Sequence, residues 1–350
     1  MIALIMAGGI GTRFWPLSRE SKPKQYLKIA SDRTMIQMTV DRLLKKIAIE
    51  NIYIVTGKSQ VKLVAENLPE LPEENIIVEP FGMNTAPCIA LSAEFLSRKY
   101  AEDEIMIVLA ADHLIKDTLE FHRTLDVAEI AAKEDNLVTF GIKPDYPATG
   151  YGYVEAGEKI NDELFYVKQF KEKPNLETAE TFIKAGNFYW NSGMFAWKLE
   201  TILETYQTYL PKASALLQKI SDKWETEDYK ANIDDEFRQM PKLPVDIGIM
   251  EQAEKRVVIP VDYGWSDVGG WKALYDISEK DENGNILKCE NTNIDGTNNL
   301  VISNKHIALI GVDDLIVVET EDAILISRKD RSEEVKNVIN ELKDSKTELL

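Results

Sequence analysis

A glycine-rich loop followed by basic side chains stands near the start of the chain. Gly8, Gly9 and Gly11 come directly after a short apolar run, and Arg13 and Lys24 follow. Glycines let the backbone approach a ligand so closely that several N–H groups can converge on phosphate oxygens. Arginine can donate paired hydrogen bonds to phosphate, and lysine adds a compact positive charge. The pattern predicts a site for a polyanion such as a nucleoside triphosphate.

Two common phosphate-binding motifs do not fit this loop. The G-x-x-x-x-G-K-[ST] pattern of P-loop proteins is absent, and a dinucleotide fingerprint would need a glycine where Phe14 stands. That mismatch disfavours a nicotinamide-dependent dehydrogenase. Taken without further context, the glycines are also compatible with a tight turn followed by solvated cations.

Charge and composition narrow the class of protein. The 350-residue chain has a formal net charge of −18, so a broad nucleic-acid surface is disfavoured and any anion site must be built locally. No apolar run approaches the roughly 18 residues that span a bilayer. Cys88 and Cys289 form neither a disulfide framework nor a metal motif. We expect a cytoplasmic protein with no nucleic-acid or membrane partner.

Strand-like and helix-like segments alternate over the first part of the chain. This alternation predicts βαβ units, hence a doubly wound, mainly parallel α/β sheet covered on both faces. The expected strands are Ile2–Ala7, Asn51–Thr56, Ile76–Glu79, Glu104–Ala111 and Leu137–Gly141, and the expected helices between them are Thr34–Ile47, Gln60–Leu68, Ala86–Tyr100 and Leu119–Lys133.

The later part of the chain has a different pattern. Tyr151–Glu155 and Phe165–Glu172 resemble strands, and Met194–Tyr206 resembles a short strand that continues into a helix. Short β-rich pieces between Ile286 and Ser327, separated by Gly, Asn and Asp, predict a small stacked coil of strands, followed by a helix over Arg331–Lys343. We expect a catalytic domain over residues 1–280 and a C-terminal β-rich, β-helix-like domain over residues 281–350.

Seven motifs resemble, in order, the signature of the sugar-phosphate nucleotidyltransferases. They are G-G-x-G-T-R-x-W-P-L-S-R with P-K-Q, E-P-x-x-x-N-T-A-P at Glu79–Pro87, A-A-D-H at Ala110–His113, T-G-Y-G-Y at Thr149–Tyr153, F-x-E-K-P at Phe170–Pro174, W-N-S-G-M-F at Trp190–Phe195 and W-S-D-V-G at Trp265–Gly269. The variant with Trp15 and Gln25 resembles the mannose-1-phosphate guanylyltransferase branch. The resemblance implies a Rossmann-like, nucleotidyltransferase type A-like fold.

The resemblance also implies a reaction: GTP and mannose 1-phosphate would give GDP-mannose and pyrophosphate, with Mg²⁺ as cofactor. No serine or cysteine nucleophile paired with histidine is evident in the sequence. We therefore expect direct attack of the sugar phosphate on the α-phosphorus, with positioning and charge neutralisation supplying the rate.

Each motif brings expected site residues. Catalysis is expected from Arg13, Lys24, Asp112, Lys173 and Asp267. Nucleotide contacts are expected from Ala7, Gly8, Gly9, Gly11, Thr12, Arg13, Lys24, Pro80, Asn84, Thr85 and Asp112, and sugar-phosphate contacts from Gly150, Glu172, Lys173 and Asn191. Asp112 and Asp267 are expected to bind Mg²⁺, which prefers one or two carboxylates together with substrate phosphates. For Asp246 the sequence favours a structural capping role.

Several alternatives stay open at this point. Asp112 and Asp267 are also compatible with Asx turns or helix caps, and E-K-P with an ordinary strand exit. Another sugar-1-phosphate nucleotidyltransferase, using a different hexose or NTP, differs by few contacts. A noncatalytic nucleotide-sugar-binding subunit is disfavoured because all five expected catalytic residues are present. We expect a homodimer formed through the C-terminal β-rich domain, and transferase activity without an appended isomerase domain.

Overall fold

The computed structural model describes residues 1–9, 11–227 and 231–350. By their contacts these residues form two compact units that do not follow chain order. The sheet unit comprises Met1–Gly8, Arg42–Ala110 and Ile115–Trp265, and the coil unit comprises Gly9–Asp41, Ala111–Leu114 and Ser266–Leu350. The signature segment after the glycine loop thus belongs to the same unit as the β-rich C-terminal part.

A single large sheet organises the sheet unit. Its strands are β1 (Ile2–Met6), β2 (Ile52–Gly57), β3 (Ile76–Glu79), β4 (Ile105–Ala110), β5 (Leu137–Ile142), β6 (Tyr153–Lys159), β7 (Phe165–Lys171), β8 (Phe188–Lys198) and β9 (Arg256–Val261). Among the described residues they lie in the order β3-β2-β1-β4-β8-β5-β9-β7-β6. The neighbours β3, β2, β1 and β4 are parallel, as the alternation of strands and helices predicts.

The second half of the sheet is mixed. β8 runs antiparallel to both β4 and β5, and β6 and β7 form an antiparallel pair. β8 also begins at Phe188, earlier than the expected start at Met194. The reason is its half-buried alternation, in which Asn191 and Gly193 are only partly buried between buried neighbours. Such polar and glycine positions obscure a strand in the sequence.

Helices cover the sheet and bury its apolar residues. α1 (Met35–Leu43) lies mainly in the coil unit, and the helices of the sheet unit are α2 (Val61–Asn67), α3 (Thr85–Ser97), α4 (Thr118–Lys133), α5 (Leu176–Ala185), α6 (Leu199–Tyr209), α7 (Pro211–Glu227) and α8 (Asp234–Arg238). α3 is apolar on nearly every side, and it packs in one core cluster with β4, β8 and α6. A short π-helical turn, Asp246–Met250, precedes β9.

Short stacked strands form most of the coil unit. They are β10 (Ile286–Lys288), β11 (Asn291–Ile294), β12 (Leu300–Ile302), β13 (Ile307–Ile310), β14 (Leu315–Glu319) and β15 (Ile324–Arg328), flanked by α9 (Trp271–Ile277) and α10 (Val335–Ser345). β10, β12 and β14 stack in parallel, as do β11 and β13, which confirms the expected coil. Asn285 and Asn299 are buried, and the Asn285 side chain accepts from the Asn299 backbone N–H at 2.9 Å.

Candidate active site

A charged cavity of about 270 Å³ lies in the coil unit. It contains four of the five expected catalytic residues, although these lie far apart in the chain; the fifth, Lys173, lies in the sheet unit. Its lining comprises Gly11, Thr12, Arg13, Phe14, Lys24, Asp112, His113, Asp267 and Gly269. The cavity thus brings together both expected phosphate-binding cations and both expected metal-binding aspartates.

Lys24 is the central charge of this cavity. Its side chain is almost completely buried, and its Nζ lies 2.9 Å from Oδ2 of Asp112. The same Nζ donates to the backbone carbonyl of Asp267 at 2.5 Å. Arg13 is more exposed: its Nη1 donates to the Gly269 carbonyl at 3.5 Å, and its Nε lies 3.7 Å from Oε2 of Glu333. Arg13 is therefore held loosely and can move toward a ligand.

The glycine loop needs glycine at position 11. Gly11 has φ +63°, and a β-carbon there would lie only 2.3 Å from Cβ of Lys24. The loop can pass this close to the lysine only without a side chain. Gln25 holds the backbone at Gly9, because its Nε2 donates to the Gly9 carbonyl at 2.9 Å. The local sequence therefore fixes the backbone beside the principal cation.

Asp112 is an ionised carboxylate beside the lysine. Burial alone would raise the pKa of Asp112, but the charges of Lys24 and His113 and the hydrogen bond from Lys24 hold that pKa below its ordinary value. An ionised aspartate that lines the same cavity as a second one, Asp267, is a donor set that suits a hard divalent cation. Among the described residues, no three His, Cys, Asp or Glu side chains converge in a cluster that could hold a metal.

A second polar group lies in the sheet unit. Nδ2 of Asn191, on β8, donates to Oδ1 of Asp246 at 2.6 Å, and Oδ1 of Asn191 accepts from the Gly193 N–H at 3.2 Å. Lys173 Nζ lies 2.5 Å from Oε1 of Glu172 just after β7. These contacts fix which end of the Asn191 amide donates. The Asp246 side chain thus accepts from a residue of β8, and the capping role expected of it stays a prediction. Burial raises the pKa of Asp246, and the hydrogen bond from Asn191 opposes that rise.

Glu79, which begins one of the signature motifs but is not among the expected site residues, is a buried carboxylate of the sheet unit. It ends β3 and is only 6% exposed, and within the described part of the chain its Oε2 has no hydrogen-bond partner. A β-carbon on Gly8 would lie 2.9 Å from its Oε1, so the carboxylate sits against the backbone after β1. Burial raises the pKa of Glu79 to about 7. The signal in the sequence was its place at the start of the E-P-x-x-x-N-T-A-P motif.

Three further residues expected to contact the nucleotide, Asn84, Thr85 and Ala7, make hydrogen bonds within the sheet unit. Oδ1 of Asn84 accepts from the Thr85 N–H at 2.8 Å and caps α3, while Thr85 Oγ1 accepts from the Val245 N–H at 2.8 Å. The buried Ala7 carbonyl accepts from Thr56 Oγ1 at 2.9 Å. The ligand contacts expected of these residues, and of Pro80 and Gly150, stay predictions.

The raised pKa of Glu79 predicts a pH-dependent stability. The pKa is about 7 in the folded protein against an ordinary 4.5, so the folded state holds the proton more tightly than the unfolded state. The resulting stabilisation is fully present below about pH 4 and is lost as the pH rises through about 7. Between pH 5 and pH 8, the wild type should lose about 2 kcal/mol of unfolding free energy relative to Glu79→Gln.

Urea unfolding of both proteins at the two pH values measures this difference. Glu155→Gln serves as the control, because Glu155 is equally buried but accepts from Lys168 Nζ at 2.8 Å and has a lowered pKa. A wild-type and Glu79→Gln pair whose stabilities change in parallel with pH would contradict the assignment.

None of the helices in the described ranges is both long enough and apolar enough to cross a membrane.

Comparison with known proteins gives consistent matches along the whole chain. A family model described as nucleotidyl transferase matches residues 2–284, and one described as a mannose-phosphate isomerase/GMP-like β-helix domain matches residues 290–342. "Mannose-1-phosphate guanylyltransferase 2" of Escherichia coli O157:H7 is 41% identical over 355 residues, 98% of this chain and 73% of the relative. "Mannose-1-phosphate guanylyltransferase" of Salmonella muenchen is 40% identical over 348 residues, 98% of this chain and 73% of the relative.

A solved structure matches the chain almost end to end. It is described as a mannose-1-phosphate geranyltransferase from Thermus thermophilus, with a TM-score of 0.88 and 30% identity. The match covers 98% of this chain and 99% of that one. Fold and sequence comparisons therefore point to the same group of proteins.

Proposed function

Because this chain belongs to the mannose-1-phosphate guanylyltransferases of the nucleotidyl transferase family, we propose that it converts GTP and mannose 1-phosphate to GDP-mannose and pyrophosphate. The observation that carries the proposal is the cavity in which Lys24 lies between Asp112 and Asp267. A buried cation with two flanking acidic residues suits the triphosphate of a metal nucleotide.

The proposed step is a direct displacement. A phosphate oxygen of mannose 1-phosphate forms a bond to the α-phosphorus of GTP, while the bond from that phosphorus to the β-phosphate bridging oxygen breaks. The electron pair of the broken bond leaves with pyrophosphate. No residue of the chain needs to form a covalent bond, so the enzyme accelerates the step by placement and by charge stabilisation.

Lys24 and Arg13 take the β- and γ-phosphates in this proposal. Lys24 is preorganised by burial and by its bonds to Asp112 and Asp267, so little ordering remains to be done when the nucleotide binds. The exposed Arg13 guanidinium can exchange its weak contacts with Glu333 and Gly269 for paired bonds to phosphate.

Asp112 and Asp267 would hold Mg²⁺ together with the phosphates. The donor set fits, because Asp112 stays ionised beside Lys24 and both residues line one cavity. When bound, Mg²⁺ would shield the phosphate charges and stabilise the departing pyrophosphate.

Glu79 selects the base in this proposal. Guanine presents two neighbouring donors, N1–H and the 2-amino group, and a carboxylate can accept from both. The buried and partly unpartnered Glu79 carboxylate, which ends β3 and lies against Gly8 in the described sheet unit, supplies such acceptors. Its motif continues into Pro80, Asn84 and Thr85, the other expected nucleoside contacts.

Mannose 1-phosphate is assigned to the polar group of the sheet unit. Glu172 accepts from sugar hydroxyls, and Lys173 neutralises the sugar phosphate. The Asn191 amide contacts a hydroxyl, and Asp246 holds that amide in one orientation through the 2.6 Å hydrogen bond. Gly150 contributes its backbone near the sugar.

A product assay tests the proposed function. Purified protein with Mg²⁺, GTP and mannose 1-phosphate should release pyrophosphate and form GDP-mannose in a one-to-one ratio. A panel of ATP, UTP and dTTP with mannose 1-phosphate and glucose 1-phosphate should give lower kcat/KM values. Faster turnover of another pair would support a different sugar nucleotidyltransferase, and nucleotide binding without pyrophosphate release would support a noncatalytic subunit.

We place the reaction in the cytoplasm. Cys88 and Cys289 are free thiols, as a reducing compartment would keep them.

The chain acts as a homodimer joined through its coil unit in this proposal. Ile324 and Ile326 on the edge strand β15 are 58% and 68% exposed and share one face of that strand. An exposed apolar face on an edge strand favours pairing with another chain, here a second copy. The double variant Ile324→Lys, Ile326→Lys should therefore sediment as a monomer at concentrations where the wild type is dimeric.

Ile130→Lys is the matched control for this sedimentation experiment. Ile130 lies on α4 of the sheet unit and is also 68% exposed, so its replacement should leave the dimer intact. A wild-type protein that stays monomeric at high concentration would contradict the proposed homodimer.

A further inference from the structure

We infer that Trp15 and Arg19 are positioning residues that hold the backbone of residues 347–349 and thereby keep the nucleotide-binding loop in place. These two side chains belong to the W-P-L-S-R part of the signature, to which the proposed reaction assigns no ligand contact. The catalytic consequence rests on the proposed function, whereas the structural connection does not.

Both side chains meet at one carbonyl oxygen. Trp15 Nε1 donates to the Leu349 carbonyl at 2.9 Å, and Arg19 Nη1 donates to the same oxygen. The acceptor is a main-chain group in the short helical turn Thr347–Leu349 after α10. A carbonyl that accepts from an indole and a guanidinium is held at a defined place, because one of the two bonds is charge-assisted.

The Arg19 guanidinium has two further partners besides the Leu349 carbonyl. Its Nη2 donates to Oδ1 of Asp322 at 2.7 Å, and its guanidinium lies 5.5 Å from the centre of the Trp15 ring. Arg19 is not among the described residues that line the charged cavity, which contains Arg13 and Lys24. Its charge therefore stabilises the connection between the signature segment and the end of the chain, and is not directed to phosphate.

A continuous set of contacts leads from Trp15 to the cavity. The Trp15 carbonyl accepts from Nε1 of Trp271 at 3.0 Å, and the ring of Trp271 packs edge-on against Phe14 with 4.9 Å between centroids. Phe14 lines the cavity, and Lys24 Nζ lies 5.9 Å from its ring centre.

The hydrophobic core of the coil unit supports the same connection. One buried cluster contains Phe14, Trp15 and Trp271 together with Val335 and Ile339 of α10. The signature segment and the C-terminal helix are thus packed as one body. We call the two hydrogen bonds from Trp15 and Arg19 to the Leu349 carbonyl the Leu349 clamp. Loosening this clamp should let the segment that begins with Thr12 move, and the affinity for the triphosphate should fall.

Full-length Arg19→Gln, Arg19→Lys and Trp15→Phe variants test this inference. Arg19→Gln removes the charge, Arg19→Lys keeps it with a single donor group, and Trp15→Phe removes only the indole N–H. Arg328→Ala is the control, because Arg328 lies in the same unit and forms an exposed ion pair with Asp330 at 2.9 Å. Two readouts are needed: hydrogen exchange of residues 11–28 in the free protein, and the Kd for GTP by calorimetry.

We expect faster exchange of residues 11–28 and a GTP Kd about 3- to 30-fold higher in Arg19→Gln and Trp15→Phe. Arg19→Lys should show smaller changes in exchange and in Kd than Arg19→Gln, and Arg328→Ala should change neither quantity. In Arg19→Gln and Trp15→Phe, the KM for mannose 1-phosphate should change by a smaller factor than the GTP Kd. If Arg19→Gln and Trp15→Phe exchange faster but bind GTP with an unchanged Kd, the contact has only a structural role and the inference is wrong. Unchanged exchange of residues 11–28 would also show that it is wrong.

The exchange readout separates this inference from the proposed function. A wild-type protein that fails to bind GTP would count against the proposed function. Exchange of residues 11–28 that is unchanged in Arg19→Gln would then still refute the clamp.

Discussion

Replacing Asp112 with asparagine is expected to lower kcat by about 10³-fold while the protein stays folded. The amide keeps an oxygen that can accept from Lys24 Nζ, which lies 2.9 Å from the aspartate in the wild type. It removes the negative charge that the metal nucleotide needs. The measurement is GDP-mannose formation at saturating GTP, mannose 1-phosphate and Mg²⁺, with circular dichroism to check the fold.

Asp330→Asn is the control for this experiment. Asp330 is an exposed aspartate of the same unit, paired with Arg328, and its replacement should leave kcat unchanged. An Asp112→Asn protein that turns over within about threefold of the wild type at saturating Mg²⁺ would remove Asp112 from the proposed metal site.

Replacing Glu79 with glutamine is expected to lower kcat/KM for GTP by about 10²-fold and to raise the relative use of ATP. The carboxylate can accept from both guanine donors, whereas the amide offers one acceptor and one donor. That amide pattern matches the 6-amino group and N1 of adenine. The preference of the enzyme for GTP over ATP should therefore narrow, and competition between the two nucleotides in one reaction measures this ratio directly.

Glu155→Gln controls for the loss of a buried carboxylate. Glu155 is as buried as Glu79 in the same unit, but its oxygens already accept from Lys168, Gln169 and Asn187. This variant should keep the wild-type preference for GTP even where its stability falls. An unchanged preference in Glu79→Gln would show that the base is selected by other groups.

The parallel half of the sheet could be predicted from the sequence because its signals are local. Apolar runs that end in glycine, proline or acidic residues marked β1 to β4 to within a residue or two at each end. β8 was only partly predicted, because Asn191 and Gly193 stand within it and are tolerated there by pairing with β4, β5 and β6 on both sides. Such pairing depends on distant segments.

The residues of the candidate site also fall into those that local motifs predict and those that depend on distant segments. Arg13, Lys24, Asp112 and Asp267 were found because their motifs have distinctive residue types, and the structure places all four around one cavity. Glu79 was not singled out, because the burial of a carboxylate away from partners is a property of tertiary packing. The bond between Asn191 and Asp246 joins residues 55 positions apart, so no local pattern could indicate it.

The Leu349 clamp could also not be predicted from the sequence. Trp15 and Arg19 lie inside the motif that suggested phosphate binding, and Arg19 stood among the cations that follow the glycine loop. Their partners, the Leu349 carbonyl and Asp322, lie more than 300 positions away. A short basic motif can therefore contain both ligand-binding and structural cations.

The stereochemistry at the α-phosphorus distinguishes a single displacement from a double one. With GTP carrying one sulfur of known configuration on that phosphorus, a single in-line displacement by mannose 1-phosphate must invert the configuration in the product. We expect inversion, because the residues around Lys24 only place the reactants and neutralise their charge. Retention would mean two successive displacements through a covalent nucleotidyl-enzyme, and would contradict the mechanism proposed for this chain.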